Sequence, residues 1–377
     1  MKIGIEAQRI FRQRKHGMDY VVLEELKRLQ KMETGHELFV FVKPGPDRCL
    51  QSSPGFHVVE LNGPSYPLWE QVALPLAACR YGIDLLHCTS NTAPILCHCP
   101  LLLTLHDIIF LEKRDGGNKS LYQNLGWHYR RWVVPRILGK CRRIITVSDF
   151  ERQNILGKLS IRPERVVRIY NGYNCWFTPK PAGDVTDDAY RRYIDREGYF
   201  FFIGNTDPKK NTERTILAYA RYWRQSEQKR PLLLADFSAA RLQPIIERNG
   251  LHDVASSMVL TDYVDNRHLP SIYRHAFAFL YTSLRESFGI PLLEAMACAT
   301  PVVTSNTSSM PEIGGSEAAL VDPFSEESIS GMMLRIEREA DYRNQLVEWG
   351  LQRARLFSWD ETARQLLQLY DQLADER

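Results

Sequence analysis

The chain has 377 residues, and this length exceeds what one hydrophobic core ordinarily serves, so we expect two domains. Hydrophobic residues make up 44% and charged residues 25%, a globular balance that excludes a disordered chain. The formal net charge of +3 comes from mixed basic and acidic residues and gives no reason to expect a nucleic acid partner. No signal-peptide pattern and no run of about 20 apolar residues is present, so a cytoplasmic protein is expected.

The first half of the chain alternates short apolar runs with helix-length amphipathic segments. The runs are KIGIEA, ELFVFV, DLLHC, LLLTLHD and RIITVS. Asp19–Lys31 and Leu68–Tyr81 are two of the amphipathic segments between them. Repetition of strand, helix and strand predicts a parallel sheet that is covered on both faces.

The stretch Thr178–Gly198 interrupts this alternation with the linker-like sequence TPKPAGDVTDD. The alternation then restarts with the runs YFFFIGN, PLLLADF, SMVLTDYV, AFAFLYTS, TPVVTS and AALVDP. We therefore predict an α/β protein with two Rossmann-like, doubly wound domains, 1–178 and 179–355, followed by a helix in 356–377. Ligands of such sheets bind beyond the carboxyl ends of the strands, so a central cleft between facing domains is the expected site.

The eight cysteines are scattered along the chain, which fits a reduced compartment better than a disulfide scaffold. Cys97, His98 and Cys99 form the densest group of possible metal ligands. Zinc sites usually combine two ligand pairs, and no second pair accompanies this one. We therefore expect buried thiols here, with no metal and no cofactor.

The segment Arg285–Ala297 carries the most informative chemistry. It follows the apolar run AFAFLYTS and places Glu286 in a loop, a glycine at 289 and a proline at 291, before Glu294. Gly289 permits close backbone approach, and Pro291 suits the first turn of a helix, whose free N–H groups favour an anion. A carboxylate at Glu294 is suited to accept hydrogen bonds from a vicinal diol such as a ribose. Taken alone, the same pattern also fits a helix-dipole carboxylate preceded by a surface glutamate.

The longer stretch RESFGIPLLEAMACATPVVTS resembles the signature of retaining GT-B glycosyltransferases of family 4, because both glutamates, the glycine, the proline and the apolar run match together. The resemblance implies that Glu286 faces the donor sugar as a catalytic residue, and that Glu294 binds the ribose. It further implies a donor site formed in the same segment by Phe288, Gly289, Ile290 and Leu293.

The segment FFIGNTDPKKN places two lysines between a strand and the next helix. Lysines there suit a diphosphate whose charge grows as it leaves, although a solvated lysine pair is the common alternative. In the resembled family an Arg/Lys pair after this strand contacts the diphosphate, and Lys210 matches the lysine as a catalytic residue. Asn205 stands at the arginine position, where it still belongs to the donor site. We expect Lys209 to supply the second charge, as a point charge instead of a bidentate fork.

The segment TLHDI ends a strand of the first half, so His106 is expected at the carboxyl edge of the sheet. The adjacent Asp107 either fixes the histidine tautomer or caps the next helix. A structural histidine is the alternative. The segment is similar to the T-x-H-D of family 4, which implies that His106 contacts the donor sugar and that Asp107 lies in the substrate site.

Two weaker similarities complete the predicted substrate site. Gly17 begins a loop-then-helix segment that resembles the family's approach to phosphates and acceptor, although only one glycine stands where two are usual. Tyr263 and Val264 lie at a strand end whose backbone reads the base in that family. The resemblance covers residues 1 to about 325, and it implies that the helix in 356–377 packs back on the N-terminal domain.

The segment Lys119–Arg143 has seven Lys/Arg, two Trp, two Tyr and no acidic residue. Basic and aromatic residues on one helix suit an anionic membrane surface, and acceptors in this family are often lipid-linked. The alternative is a helix that packs its aromatic side chains inward and solvates a basic face. We expect a possible peripheral contact with the inner membrane face at 119–143.

Together these features predict a retaining hexosyltransferase that uses a nucleoside diphosphate sugar and a glycan or lipid-linked glycan acceptor. The GNTDPKKN and TLHD versions resemble bacterial mannosyltransferases of surface polysaccharide assembly, which favours GDP-mannose as donor, with UDP- and dTDP-sugars as the open alternatives. No Asp-x-Asp follows an apolar strand, so no metal requirement is expected. The alternatives are a sugar-nucleotide epimerase, a phosphorylase-like enzyme and a non-enzymatic sugar-binding protein.

Overall fold

The computed structural model of the chain describes residues 1–112, 121–181 and 186–376, with side chains described from 124 onward in the second range. The chain divides into two compact units. The first consists of Met1–Asn171 together with Trp359–Arg377, and the second is Gly172–Ser358. The sequence analysis placed the divisions at 178 and 355, and residues 182–185 of its linker lie outside the described part.

In its described residues the first unit contains seven parallel strands, six α-helices and a π-helical turn, Trp69–Ala73, that joins the helices Tyr66–Leu68 and Leu74–Tyr81. Its strands are β1 (Lys2–Glu6), β2 (Glu37–Val42), β3 (Phe56–Glu60), β4 (Leu85–Cys88), β5 (Leu101–Thr104), β6 (Cys141–Thr146) and β7 (Val166–Arg168). Its helices are α1 (Gly17–Leu29), α2 (Tyr66–Leu68), α3 (Leu74–Tyr81), α4 (Leu121–Ile137), α5 (Asp149–Lys158) and α13 (Trp359–Asp375). The strand order is β3-β2-β1-β4-β5-β6-β7.

The described residues of the second unit form a parallel sheet of six strands in the order β10-β9-β8-β11-β12-β13. Its strands are β8 (Tyr199–Ile203), β9 (Leu232–Ala235), β10 (Met258–Thr261), β11 (Ala276–Tyr281), β12 (Val302–Ser305) and β13 (Ala319–Val321). Its helices are α6 (Thr212–Gln225), α7 (Ala239–Asn249), α8 (Leu269–His275), α9 (Ile290–Ala297), α10 (Met310–Gly314), α11 (Glu326–Arg338) and α12 (Ala340–Ala354).

The apolar runs become strands because both faces of each sheet are covered by helices. In β8 the side chains of Phe200, Phe201 and Phe202 are all buried, although they alternate between opposite faces. Among the described strands, only β3 and β7 lie outside the predicted runs, and these two form the edges of the first sheet. An edge strand is less buried, and β3 reads FHVVE with a partly exposed interior, so its apolar signal is weak.

The C-terminal helix α13 belongs to the first unit and packs against α1. Thr362 Oγ1 donates a hydrogen bond of 2.7 Å to the carbonyl of Tyr170. The hydroxyl of the buried Tyr370 lies 2.8 Å from Nδ1 of His87 in β4. The helix therefore supports the sheet of the first unit from one face.

Both sheets reverse their strand order once, between β1 and β4 in the first unit and between β8 and β11 in the second. Loops that leave the carboxyl ends of two such neighbours diverge to opposite faces, which opens a crevice for ligands. Lys209 and Lys210 follow β8, and Glu286 follows β11, whereas His106 follows β5 and Tyr263 follows β10. No helix in the described part of the chain has the length and apolar character that crossing a bilayer requires.

Candidate functional site

The most direct polar contact at the switch point of the second unit joins the loops after β8 and β11. Nζ of Lys210 lies 2.6 Å from Oε1 of Glu286, and both side chains are largely but not fully buried. The strands that carry them pair directly, with Phe202 opposite Leu280. Two residues that are 76 positions apart in sequence thus form an ion pair at the carboxyl edge of the sheet.

The backbone around Lys210 is held by Asn211, which has a left-handed conformation with φ of 59°. Its amide nitrogen donates to the carbonyls of Thr282, at 3.0 Å, and Pro323, at 2.7 Å. The backbone N–H of Leu284 donates to the carbonyl of Lys209 at 2.7 Å. The lysine loop is therefore attached at several points to the neighbouring strand end, and this attachment orients Lys210.

Asn205 stands where the resembled family has arginine, and it forms hydrogen bonds within its own loop. Its side-chain oxygen accepts a hydrogen bond of 2.9 Å from the backbone N–H of Asp207. Its backbone exchanges hydrogen bonds with Thr212 at the start of α6. Asn205 thus shapes the loop that leads to the lysines, and the residue itself remains exposed.

The Glu286 loop is fastened to the segment before α10 by two serines. Ser309 Oγ donates to the carbonyls of Glu286, at 3.0 Å, and Phe288, at 3.2 Å. Ser308 Oγ accepts from the backbone N–H of Glu286 at 3.3 Å. Neither serine was identified from the sequence, because nothing in the run NTSSMP marks it as a partner of a loop more than 20 residues earlier.

Gly289 occupies a position that other residues would strain. Its φ is 103°, and a Cβ there would lie 2.6 Å from Cε of Met310. Gly289 is also the N-cap of α9, and Pro291 lies in the first turn, as the sequence predicted. The glycine therefore lets the loop turn sharply into a helix N-terminus beside Glu286.

Glu294 lies one turn into α9, in surroundings different from those of Glu286. Burial raises the pKa of Glu294 to about 8. The buried phenol of Tyr281, at the end of β11, has its pKa raised by burial and then by the charges of nearby groups, Glu286 and Glu294 among them. The ring of Tyr281 also lies 5.6 Å from Nζ of Lys210. Tyr281 thus lies near all three predicted residues, although the sequence analysis did not select it.

The remaining predicted residues of the second unit divide by exposure. The side chains of Phe288, Leu293 and Val264 are buried, so a ligand would meet only their backbone. Ile290, Lys209 and Lys210 are partly exposed, and Tyr263 is 72% exposed. The ring of Tyr263 is therefore available at the end of β10, where the resemblance places base recognition.

In the first unit, His106 lies two residues beyond β5 and is buried. Its backbone N–H donates to Oδ1 of Asn91 at 2.7 Å, and its ring Nε2 lies 3.0 Å from the carbonyl of Thr89. Burial lowers the pKa of His106, so the ring is neutral near pH 7. Because a carbonyl only accepts, the neutral ring donates from Nε2, which leaves Nδ1 as an acceptor.

Asp107 bonds to the turn that follows it. Its Oδ1 accepts a hydrogen bond of 3.1 Å from the backbone N–H of Ile109, the first residue of the short helical turn Ile109–Leu111, whose N-cap residue is Ile108. The tautomer of His106 is instead set by Thr89. Gly17 is the first residue of α1, and a Cβ there would meet nothing within 4 Å.

A buried polar network at the switch point of the first unit was not predicted. Glu6 ends β1 and accepts from both the backbone N–H and the hydroxyl of Thr89, which follows β4. Arg9 pairs with the buried Asp19 at 2.9 Å, and it donates to Ser90 Oγ. In the sequence only the position of these residues indicates the network, since EAQR begins at the last residue of one central strand and TSNT directly follows another. The network fixes the loop whose Asn91 holds His106.

The three adjacent residues Cys97, His98 and Cys99 bring one donor atom each to within 4.8 Å of one another. The two sulfur atoms are 3.4 Å apart. Cys99 is buried, as expected for a structural thiol, whereas Cys97 is only partly buried and His98 is exposed. This group precedes β5 at the amino edge of the sheet, opposite the edge that carries His106.

Comparisons with known proteins agree with this architecture. Residues 16–177 match the family model described as Glycosyltransferase Family 4, and residues 191–353 match Glycosyl transferases group 1. The chain is 29% identical over 270 residues to O-antigen chain mannosyltransferase B of Escherichia coli, covering 71% of this chain and 69% of the relative.

Two solved structures share the fold. Sucrose-phosphate synthase from Thermosynechococcus elongatus superposes with a TM-score of 0.75 at 21% identity, with 100% of both chains covered. HepE of Anabaena, solved in complex with UDP, gives a TM-score of 0.73 at 18% identity, covering 99% of this chain and 100% of that one. Two Rossmann-like units with this topology are those of a GT-B glycosyltransferase.

Both halves of the chain match glycosyltransferase family models, which assigns a family as well as a fold. The chain belongs to glycosyltransferase family 4, and it is a hexosyltransferase enzyme. This assignment sets aside the alternatives of an epimerase, a phosphorylase-like enzyme and a non-enzymatic sugar-binding protein.

Proposed function

We propose that the enzyme transfers a mannosyl unit from GDP-mannose to a hydroxyl of a glycan, with retention at the anomeric carbon and without a metal ion or cofactor. The Escherichia coli relative is named as an O-antigen chain mannosyltransferase, which supports a mannosyl donor and a polysaccharide acceptor. The acceptor is a lipid-linked glycan at the cytoplasmic membrane face. HepE, solved with UDP, supports a nucleoside diphosphate as the departing group.

The observation that carries this proposal is the 2.6 Å contact between Lys210 and Glu286 at the switch point of the second sheet. During transfer the bond from the anomeric carbon to the diphosphate oxygen breaks, and negative charge develops on the phosphate. The Lys210 ammonium lies where it stabilises that charge, together with the N-terminus of α9. Glu286 both orients the ammonium and accepts hydroxyl hydrogens of the sugar.

Retention follows from a front-face route in this proposal. The acceptor oxygen forms its bond to the anomeric carbon on the side from which the diphosphate departs, and its proton passes to the leaving phosphate oxygen. A double displacement would need an unengaged carboxylate against the opposite face of that carbon. Glu286 is engaged by Lys210, and burial raises the pKa of Glu294 to about 8, which favours its protonated form at neutral pH. Neither is suited to act as a nucleophile.

The donor is tested first by binding. Thermal shifts with GDP, UDP and dTDP at matched concentration identify the base, and we expect GDP to raise the melting temperature most. Turnover of GDP-mannose is then followed as GDP release, and NMR of the glycoside product gives the anomeric configuration. Stabilisation by UDP alone, or an inverted product, would contradict the proposed donor or stereochemistry.

Metal independence has its own test. Because Lys210 and the helix N-terminus supply the positive charge, turnover after dialysis against EDTA should equal that of the untreated enzyme. Loss of activity that added Mg²⁺ or Mn²⁺ restores would show that a divalent ion holds the diphosphate instead.

Peripheral contact with an anionic membrane through 119–143 is part of the proposal. Residues 119 and 120 lie outside the described part of the chain. Within it, Arg142 and Arg143 belong to β6 and bond to Leu373 and Glu376. The cations presented to solvent are therefore those of α4 and the turn after it, among them Arg131, Arg136 and Lys140.

A further inference from the structure

One helical segment of the first unit presents apolar side chains to solvent on the face that should be polar. Residues 66–81 run continuously through α2, the π-helical turn and α3. The buried face carries Trp69, Leu74, Ala77 and Ala78. Leu68, Val72 and Leu76, spaced four residues apart on the opposite side, are 52%, 48% and 66% exposed. A helix that is apolar on both faces indicates a second contact besides its own core.

The exposed stripe continues onto neighbouring segments. Val72 and Leu76 line an open groove of about 470 Å³ together with Leu96, which is 77% exposed, and Lys140. The Lys140 ammonium donates to the carbonyl of Ile95, which fixes the end of α4 beside the Leu96 loop. We call Leu68, Val72, Leu76 and Leu96 the apolar ridge.

Helix α4 packs beside the apolar ridge and adds exposed cations. Tyr129 of α4 accepts from Gln71 Nε2 at 2.8 Å and donates to Glu70. The outward side of α4 carries Leu125 and Trp132, which are 70% and 51% exposed. The Arg136 guanidinium lies 4.8 Å from the ring of Trp132, as in a basic-aromatic interfacial surface.

The charged side chains of this surface are almost all basic. Residues 66–81, 89–100 and 121–140 contain five Lys/Arg and a single carboxylate, Glu70. Glu70 is 1% exposed, and it accepts hydrogen bonds from Tyr66, Gln71, Thr92 and Tyr129. The carboxylate therefore contributes nothing to the outer surface, where cations surround exposed leucines. Anionic lipid headgroups over an acyl interior complement both properties at once.

We propose that the apolar ridge inserts into the interfacial region of an anionic bilayer, with Arg131, Arg136 and Lys140 of the α4 region on the headgroups. The proposal rests on the proposed lipid-linked acceptor and names the surface that reaches it. It places the inserting side chains at 68–76 and 96, outside the segment 119–143 that the sequence indicated. A second copy of the chain on the same ridge is the competing occupant.

Vesicle flotation of the full chain tests this directly. The wild type should float with phosphatidylcholine vesicles that contain about 30% phosphatidylglycerol, whose anionic headgroups give a negative surface potential. It should not float with vesicles of pure phosphatidylcholine. Replacing one half-exposed leucine by Gln should weaken partitioning about fivefold, and Leu68→Gln/Val72→Gln/Leu76→Gln about a hundredfold. The matched control is Leu356→Gln, an equally exposed leucine of the second unit, which should float as wild type does.

Two further measurements keep the outcomes distinct. Circular dichroism melts should show the triple variant folded, because the replaced side chains lie half in solvent. GDP-mannose hydrolysis in solution should be unchanged in that variant. Wild-type turnover without vesicle binding would overturn the membrane surface, together with the membrane contact at 119–143, and leave the proposed transfer reaction standing. Vesicle binding without turnover would overturn the proposed reaction and leave the membrane surface standing. A wild-type dimer that the triple variant abolishes, with no vesicle binding, would assign the ridge to a second copy.

Discussion

Removal of the Lys210 ammonium is the sharpest perturbation of the donor site. In Lys210→Ala the 2.6 Å contact with Glu286 is lost, and the departing diphosphate loses a charge-assisted donor. Loss of one preorganised group at a developing negative charge lowers kcat by about 10²- to 10³-fold. The pair is partly solvent-exposed, so its loss should change the free energy of unfolding by about 1 kcal/mol or less.

The assay follows nucleotide release from GDP-mannose under saturating donor, with GDP affinity measured by calorimetry. Because the charge matters most in the transition state, kcat should fall far more than GDP affinity. Lys158→Ala is a matched control, since Lys158 also pairs with a glutamate, Glu112, at 3.2 Å in the first unit. A folded Lys210→Ala enzyme with kcat within threefold of wild type (about 0.6 kcal/mol) would refute the assigned role.

Three other perturbations test separate parts of the site. Gly289→Ala forces a Cβ against Met310 at a φ of 103°. The variant should therefore lose about 1–3 kcal/mol of folding free energy, measured in a thermal melt. The control Gly157→Ala adds its Cβ to open space on a helix and should not lose stability. The pKa of Glu294 is about 8 in the folded state and about 4.5 in the unfolded chain. The free energy of unfolding should therefore fall as the pH rises between those two values. Glu294→Gln should flatten this dependence on pH. His106→Ala should lower kcat about 100-fold, and the wild-type pH–rate profile should show no histidine limb above pH 6.5, because burial lowers that pKa.

Most of the fold was predictable because its strands are buried on both faces. Continuous apolar runs such as YFFFIGN have few other uses in a globular chain, and helix-length segments between them require parallel pairing. The edge strands β3 and β7 escaped prediction, since an edge needs fewer apolar side chains. The π-helical turn at Trp69–Ala73 also left no readable signal in the sequence.

By itself the sequence determined which charged residues follow the central strands, and the resemblance of its motifs to family 4 indicated the family and the candidate donor residues. Tertiary structure decided their partners: Lys210 with Glu286, Ser309 with the Glu286 loop, and Thr89 with His106. It also decided the surroundings that raise the pKa of Glu294. The reason is physical, since hydrogen bonds and desolvation depend on distances between residues far apart in sequence, and only the folded chain sets those distances.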